Sequence, residues 1–183
     1  MSEEILVTHC SPTLADMKTG NLFNCKCDSE CEVKEQIEQW NKVLNPKGVS
    51  MTLLRTMKDR ALVYVYRPKR LELDMKREEA QCFLRDQGYQ NHCTDECIKH
   101  LATRLCSCEE FPHEIGLFLG YPIEDVKGFI ENKGKNCKCV GYWKVYFDEQ
   151  EAQRTFEKYR RCTKIYRRKL QEGRSVERLT VSA

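Results

Sequence analysis

The sequence predicts an α+β fold in which a small mixed β-sheet is packed with several helices and a long basic helix forms the C-terminus. Short apolar runs of strand length occur among longer segments whose apolar residues recur at helical spacing, and Gly and Pro mark many of the boundaries. The predicted element order is β-α-β-β-α-α-α-α-β-α. The length of 183 residues suits one domain, so we expect a single domain over residues 1–183.

The first predicted elements are a strand and a helix near the N-terminus. Residues Ile5–Thr8 form a short apolar run that is typical of a buried strand. Ser11 is a good N-cap and Pro12 suits the first helical position, so a helix is predicted to follow through about Lys18. Gly20 then ends this helix.

A helix and two neighbouring strands are predicted in the next part of the chain. The helix covers 32–44, because its apolar residues recur at helical spacing, and the strands cover 49–56 and 61–66. The run Leu62–Tyr66 is apolar on both faces, so we expect this strand to lie inside the sheet.

Helices dominate the remaining prediction. They are expected over 77–87 and 95–106, in two short segments that begin at Pro112 and Pro122, and from Asp148 to about Gln171. Asp148 and Glu151 have the spacing of a capping box at the start of the last helix. One more strand is predicted over 140–147, because this segment is rich in β-branched and aromatic residues.

The twelve cysteines and the N-terminus bear on the cellular compartment. Residues 1–4 are acidic and lack the basic and apolar regions of a signal peptide. No apolar run approaches the roughly 20 residues that a membrane span needs. We therefore expect a cytoplasmic protein with no membrane partner. Thiols are kept reduced in that compartment, which favours free thiols or metal ligands over disulfides.

Several segments along the chain carry a family resemblance. They read HCSPTLA at 9–15, NPKGV at 45–49, VYVYRP at 63–68, FPHEIGLFLGYP at 111–122 and GYWKVY at 141–146. Together with Lys18 and Asn21, these segments resemble an uncharacterised family, a domain of unknown function found in anaerobic bacteria. The resemblance covers nearly the whole chain and implies one domain. It implies no established reaction, and the proximity of such genes to flavodoxin and iron-uptake genes points to redox or iron metabolism.

Cys10 is the leading candidate for a reactive residue. On the predicted elements its thiol lies just before a helix N-terminus, where unpaired N–H groups and the helix dipole lower the pKa of a thiol. Lys18 can add positive charge, and His113 can act as a general base that Glu114 or Asn21 orients. The alternative is that Cys10 is a small buried residue, as free cysteines commonly are.

A metal site is the second candidate. If they lay on one helix, Cys93, Cys97 and His100 would be on adjacent turns of one face, next to His92, and such residues can bind zinc or iron. Further cysteine clusters are present at 25/27/31, 106/108 and 137/139, without the repeated Cys-x-x-Cys spacing that is diagnostic of a metal site. For each cluster we favour the alternative, which is that the cysteines pack as apolar residues.

Two other motifs are rejected. His113-Glu114 begins like a zinc-protease motif, but residue 117 is Leu where that motif needs a second His. The sequence also contains no glycine-rich phosphate loop, so nucleotide binding has no support in the sequence.

The predicted C-terminal helix is strongly basic. Residues 154–174 hold nine Lys or Arg against two Glu. Such a cluster can dock an acidic protein, with a nucleic-acid backbone as the less favoured partner and a solvated face as the commonest outcome. The neighbouring aromatic residues Tyr142, Trp143 and Tyr146 can stack on a ring of a small molecule, although a central strand needs such residues for its core.

Two functional hypotheses follow from these candidates. The first is a thiol-dependent role in redox or iron metabolism, with Cys10 as the reactive residue and His113 as its partner. The second is a non-enzymatic metal-binding or regulatory module that docks an acidic partner through its basic C-terminal helix. The sequence leaves open whether the protein is an enzyme.

Overall fold

The computed structural model describes residues 1–90, 93–107 and 111–182, and it confirms the α+β class. The helices in these ranges are α1 (Glu3–Leu14), α2 (Glu30–Leu44), α3 (Pro68–Met75), α4 (Glu78–Asp86), α5 (Thr94–Ser107), α6 (Ile115–Phe118), α7 (Ile123–Glu131), α8 (Glu149–Gln171) and α9 (Val176–Leu179). The strands are β1 (Gly20–Lys26), β2 (Ser50–Met57), β3 (Arg60–Tyr66), β4 (Cys139–Val140) and β5 (Lys144–Val145). Among the described helices, none combines the length and apolar character that crossing a membrane requires. The expectation of a single domain over 1–183 stays a prediction.

The strand β3 lies at the centre of a three-stranded sheet with the order β1-β3-β2. Both neighbours pair with it in the antiparallel sense, so that Phe23 and Leu53 lie opposite Val63 on its two sides. The central position predicted for 62–66 is therefore confirmed. The pairing differs from the expected mixed sheet, because the turn at 58–59 joins β2 and β3 as a hairpin and β1 also runs antiparallel to β3.

The two faces of β3 belong to two apolar cores. Because side chains alternate along a strand, Val63 and Val65 pack with α1 and α2 on one face. Tyr64 and Tyr66 pack on the other face with α3 to α6, and the Tyr64 hydroxyl donates to the carbonyl oxygen of Phe118 at 2.5 Å. The sheet thus separates an α1–α2 layer from a layer formed by the middle helices.

The N-terminal segment is helical, so the predicted strand over Ile5–Thr8 is wrong. The side chain of Ser2 caps α1 by accepting a hydrogen bond from the backbone N–H of Ile5, and two glutamates follow in the first turn. The buried residues of α1 recur at helical spacing and include Leu6, Val7, Cys10 and Leu14. Burial of this apolar face outweighs the strand propensity of the β-branched residues.

Pro12 lies in the last turn of α1 rather than at the start of a helix. The helix ends at Leu14, where the backbone N–H groups of Met17 and Lys18 both turn back to the carbonyl oxygen of Pro12. The strand β1 begins at Gly20, at the position where the sequence had predicted only the end of a helix.

The segment predicted as one strand over 140–147 folds back on itself. The two-residue strands β4 and β5 form a hairpin in which Cys139 lies opposite Val145, with residues 141–143 as its turn. At Gly141 the backbone lies against Phe156, and a Cβ atom there would overlap the Phe156 ring. A single extended strand is therefore replaced by a tight hairpin that packs on α8.

The long C-terminal helix is confirmed with the predicted bounds. The carboxylate of Asp148 accepts a hydrogen bond from the backbone N–H of Glu151 at 3.0 Å, which is the expected N-terminal cap. Its buried residues are Ala152, Phe156, Tyr159 and Cys162. The helix packs along α1, and most of its basic side chains are exposed.

Candidate functional site

The residues predicted to form one catalytic site lie in two places on either side of Tyr121. Lys18 is on one side, with its Nζ atom 5.0 Å from the centroid of the Tyr121 ring. On the other side Tyr121 stacks on Trp143 at 4.8 Å, next to the cavity that His113 lines. The predicted pairing of Cys10 with His113 gains no support from this arrangement.

Cys10 is completely buried in the third turn of α1, so the prediction that it precedes a helix N-terminus is wrong. The helix dipole therefore gives its thiolate no help at this position. Burial raises the pKa of the Cys10 thiol well above its ordinary value, and the nearby Lys18 offsets only part of this effect. A thiol in this environment is a poor nucleophile, as expected for a cysteine that packs as an apolar residue.

Lys18 is a buried amine between α1 and β1. Its ammonium or amine group donates a hydrogen bond to the carbonyl oxygen of Gly20. Burial lowers the pKa of Lys18 to about 7, and Cys10 opposes that shift. Asn21 follows Gly20 in the chain, and its side-chain oxygen accepts a hydrogen bond from the Thr13 hydroxyl at 2.7 Å.

A second cavity, of about 320 Å³, adjoins Lys18. Its lining carries charges of both signs, and several of them pair with nearby groups. Arg70 pairs with Asp16, and Asp74 accepts the Thr19 hydroxyl and lies 3.4 Å from Arg77. This balance gives the second cavity no clear preference for one class of ligand.

His113 and Glu114 face different parts of the molecule. Glu114 is buried against α5, where its Oε1 atom lies 2.8 Å from Nε of Arg104 and accepts a hydrogen bond from the Tyr89 hydroxyl at 3.1 Å. His113 is exposed, and its ring packs against Phe129 at a centroid distance of 4.7 Å. The carboxylate of Glu114 is therefore used in the core and does not orient His113.

The predicted metal ligands do not form a metal site in the part of the chain that the structure describes. Within residues 1–90, 93–107 and 111–182, no group of three or more His, Cys, Asp or Glu side chains could hold a metal ion. Cys97 is buried in α5, and His100 packs edge-on against Tyr89 at 4.4 Å. The zinc or iron prediction for Cys93, Cys97 and His100 gains no support, and His92 lies outside the described residues.

The cysteines of the other clusters lie in environments that differ in burial. Cys25 and Cys27 are buried on one face of the sheet, whereas Cys31 is exposed on α2. Cys137 and Cys139 are half-buried free thiols near the β4–β5 hairpin. For the pair 106/108, Cys108 lies outside the described residues.

The most developed site is a cavity of about 340 Å³ between α6, α7 and the β4–β5 hairpin, which we call the aromatic cavity. Among the described residues its lining is mainly aromatic and aliphatic, and three of the side chains are ionisable. The residues that form it are His113, Ile115, Gly116, Tyr121, Asp125, Val126, Phe129, Val140, Gly141, Tyr142, Trp143 and Lys144. Cavities of this size and composition are typical of small-molecule sites.

Asp125 holds the hairpin side of the aromatic cavity in place. This residue is buried, and its Oδ2 atom accepts a hydrogen bond from Nε1 of Trp143 at 2.7 Å. Its Oδ1 atom accepts the backbone N–H groups of Tyr146 and Phe147 at 2.7 and 2.9 Å. The carboxylate thus fixes both the Trp143 ring and the end of the hairpin.

Lys144 lies at one end of the aromatic cavity. Its Nζ atom donates a hydrogen bond to the carbonyl oxygen of Gly134 at 2.7 Å and lies 5.6 Å from the centroid of the Phe129 ring. The chain around Gly134 has the sequence NKGKNCK over 132–138, which we call the lysine turn. Its three lysines are exposed, so this end of the cavity is positively charged.

Sequence reasoning identified part of this cavity and missed the rest. His113 was predicted as a site residue, and Tyr142 and Trp143 were named as residues able to stack on a ring. Asp125 and Phe129 were missed, because they belong to a short helix whose sequence resembles any amphipathic segment. The one signal in the sequence is an aspartate in the first turn of a helix that begins after Pro122, and it does not show that the helix packs on the Gly-Tyr-Trp turn at 141–143.

The fold and the site define an α+β protein with a central antiparallel sheet and an aromatic cavity beside it. The chain belongs to the family described as protein of unknown function (DUF3793), which it matches over residues 6–180. This match confirms the resemblance to a family of unknown function. No curated protein and no solved structure matches the chain.

Proposed function

We propose that the protein is a ligand-binding module whose site is the aromatic cavity and whose ligand is a small planar molecule. The observation that carries the proposal is the presence of stacked aromatic rings beside His113 and Lys144 in a cavity of about 340 Å³. Aromatic walls with a few polar groups are the usual composition of sites that bind ring-shaped ligands.

The rigidity of the cavity wall supports this proposal. Trp143 stacks on Tyr121, meets Phe156 edge-on at 4.5 Å and donates to Asp125, so its ring has one orientation. A preorganised wall lowers the entropic cost of binding. The half-buried rings of Tyr142 and Phe129 leave aromatic surface open to a ligand.

The thiol-dependent role in redox or iron metabolism stays a prediction. Direct attack by Cys10 has little physical support, because its thiol is buried and burial raises its pKa. Cys31 and Cys82 have exposed free thiols, which fits the reducing environment of the cytoplasm. We therefore include a cytoplasmic location in the proposal.

Fluorescence tests the proposal directly. The chain has two tryptophans, so a Trp40→Phe variant leaves Trp143 as the single reporter inside the cavity. Phenylnaphthylamine is a neutral dye built from two flat aromatic ring systems, and it accepts energy from tryptophan. We expect saturable quenching of Trp143 by this dye, together with dye emission, and at least about a fivefold loss of affinity in Phe129→Leu.

A matched single-tryptophan variant provides the control. Trp143→Phe leaves Trp40, which lies on α2 and packs in the core on the opposite face of the sheet. This variant should show weak energy transfer. Equal transfer from Trp40 and Trp143, or quenching that never saturates, would contradict the proposal.

A second candidate function is docking of an acidic protein on α8. A shallow groove on this helix is lined by Arg160, Arg161, Lys164, Ile165 and Arg168, together with Glu157. Ile165 is 43% exposed, so the groove combines apolar surface with an excess of positive charge. This combination suits an amphipathic acidic helix better than a nucleic-acid backbone, which needs little apolar contact.

Binding of designed peptides tests the second candidate. A Glu-rich amphipathic peptide should bind the full chain, and its Gln-for-Glu analogue should not. An Arg161→Gln, Lys164→Gln double variant should weaken binding about tenfold, whereas Lys26→Gln on β1 should have no effect. Equal binding of single-stranded DNA and the acidic peptide would contradict docking of a protein.

A further inference from the structure

We infer that the ligand of the aromatic cavity is a planar aromatic molecule that carries a negative charge, with the charge bound by Lys144 and the ring by Phe129 and Trp143. This inference rests on the proposed function and assigns the chemical class of its ligand. Aromatic carboxylates, sulfonates and phosphates all share the required chemistry, which is a flat ring beside an anionic group.

Lys144 is positioned to contact an anion at the cavity wall. Its ammonium group has three N–H donors, and the hydrogen bond to the Gly134 carbonyl oxygen uses one of them. That hydrogen bond and the neighbouring Phe129 ring hold the half-buried side chain in place. A fixed, partly desolvated ammonium binds an anion more strongly than a freely rotating surface lysine does.

His113 lies on the same aromatic ring as Lys144. Both the imidazole of His113 and the ammonium of Lys144 pack against Phe129, at 4.7 and 5.6 Å from its centroid. A ligand that covers the exposed part of Phe129 therefore meets a nitrogen donor from either residue. This placement puts the polar end of the ligand at the Phe129 end of the cavity and its ring towards Trp143.

Among the residues that the structure describes, Asp125 is the one acidic side chain in the cavity lining, and it does not oppose an anion strongly. Asp125 is 3% exposed, and its two oxygens accept hydrogen bonds from Trp143, Tyr146 and Phe147. These three N–H groups face the carboxylate and offset its charge. The negative charge of Asp125 is thus largely engaged by these three donors.

The lysine turn adds a longer-range attraction. Its three lysines lie within six residues of the chain, and no acidic residue occurs between 132 and 138. The turn adjoins the cavity at Gly134, which packs beside Phe129 and Lys144. Positive charge concentrated at one end of a cavity raises the local concentration of anions and speeds their association.

Two dyes that differ in one group test the inference. Anilinonaphthalene sulfonate and neutral phenylnaphthylamine share the same aromatic frame, and only the first has an anionic group. In the Trp40→Phe background, with Trp143 as the reporter, we expect the sulfonate to bind at least about fivefold more tightly. Raising the salt concentration from about 50 mM to about 500 mM should weaken only the sulfonate.

Charge variants locate the anionic group. Lys144→Gln should lower the affinity for the sulfonate about fivefold and leave that for phenylnaphthylamine within about twofold. Lys127→Gln is the matched control, because Lys127 is exposed on α7 and does not line the cavity. Val140→Glu adds a negative charge at the exposed rim and should weaken the sulfonate more than Val140→Gln does.

The results distinguish a failure of the anionic ligand class from a failure of the proposed cavity function. Equal affinity for both dyes, or the same loss for both in Lys144→Gln, would overturn the anionic ligand class while leaving the proposed cavity function intact. Failure of both dyes to quench Trp143 would overturn the ligand class and the proposed function together. A sulfonate affinity that responds equally to Lys127→Gln and Lys144→Gln would show binding by general surface charge and would also overturn the inference.

Discussion

The indole Nε1 of Trp143 donates a 2.7 Å hydrogen bond to the buried carboxylate of Asp125, and this contact links the β4–β5 hairpin to α7. The same carboxylate accepts two backbone N–H groups just after β5. One side chain thereby satisfies three donors that come from a segment about twenty residues further along the chain. The shape of the aromatic cavity depends on this carboxylate.

Replacement of Asp125 by Ala should destabilise the hairpin and open the cavity. Three N–H groups lose their acceptor, and since each unsatisfied buried donor costs about 1–3 kcal/mol, we expect a total loss of roughly 3 kcal/mol after solvent enters. Urea unfolding followed by circular dichroism measures this loss. Glu124→Ala, at the neighbouring exposed position, should change stability by less than about 0.5 kcal/mol. Similar losses in the two variants would refute the role assigned to Asp125.

The close approach at Gly141 leads to a second prediction. A Cβ atom at this position would overlap the ring of Phe156, which is buried beside Val145 and Ala152. Gly141→Ala should therefore cost about 1–3 kcal/mol, as overpacking typically does, and weaken dye binding in the cavity. Urea unfolding and Trp143 quenching are the measurements.

A double-mutant cycle separates this overlap from a general effect of alanine on the turn. Phe156→Leu removes part of the ring that the new methyl group would meet. In the Phe156→Leu background, Gly141→Ala should cost at least about 1 kcal/mol less than in the native chain. Additive losses of unfolding free energy would indicate that the Phe156 ring does not restrict the size of the side chain at residue 141.

The β2–β3 hairpin and α8 could be predicted from the sequence, whereas α1, β1 and the cavity could not. The run Leu62–Tyr66 is apolar on both faces, a pattern that only a covered central strand requires. Asp148 and Glu151 mark the start of α8 by local hydrogen bonding. In these two cases the local pattern and the tertiary contacts favour the same structure.

In α1 and the cavity, tertiary contacts decide the structure. Ile5–Thr8 has strand propensity, yet packing of the whole face of α1 on the sheet and α8 makes it helical. The cavity combines His113, Asp125 and Lys144, which come from separate segments and meet only when the hairpin folds back. Cys10 was predicted to be reactive because it was expected just before a helix N-terminus. It lies inside α1 instead, so this reason for its reactivity does not hold.

Arg67 supports a prediction about the C-terminal segment. The guanidinium is buried and donates to the carbonyl oxygens of Thr13 at 2.7 Å, Leu14 at 2.8 Å and Val181 at 2.8 Å. Arg67→Met leaves these acceptors without their donor and should cost about 3 kcal/mol or more. Amide hydrogen exchange should also become faster at Val181, whose N–H donates to Leu14.

Arg70 provides the control for this prediction. Its side chain is 42% exposed and pairs with Asp16, to which Arg67 also lies close. Arg70→Met should cost no more than about 1 kcal/mol and leave exchange at Val181 unchanged, because a partly exposed ion pair contributes little. Faster exchange at Val181 in both variants would argue against a specific role for Arg67.

Lys18 should make the stability of the protein depend on pH between about 7 and 9. Burial lowers its pKa from 10.5 to about 7 in the folded chain, so over this range the unfolded chain binds about one more proton. Stability rises with pH wherever the unfolded state binds more protons, by about 1 kcal/mol per pH unit for one proton. Above pH 9.0 the rise levels off, because burial raises the pKa of Cys10 and the unfolded chain then loses a thiol proton that the folded chain keeps.

Comparison of the native chain with Lys18→Met isolates this dependence. Methionine does not titrate, so the free energy of unfolding of the native chain relative to the variant should rise by roughly 2 kcal/mol from about pH 7 to about pH 9. Urea titrations at several pH values within this window measure the difference. Lys127→Met replaces an exposed lysine and should follow the native chain in parallel. If the Lys18→Met curve is parallel as well, Lys18 keeps its proton throughout the window and is charged in the folded protein.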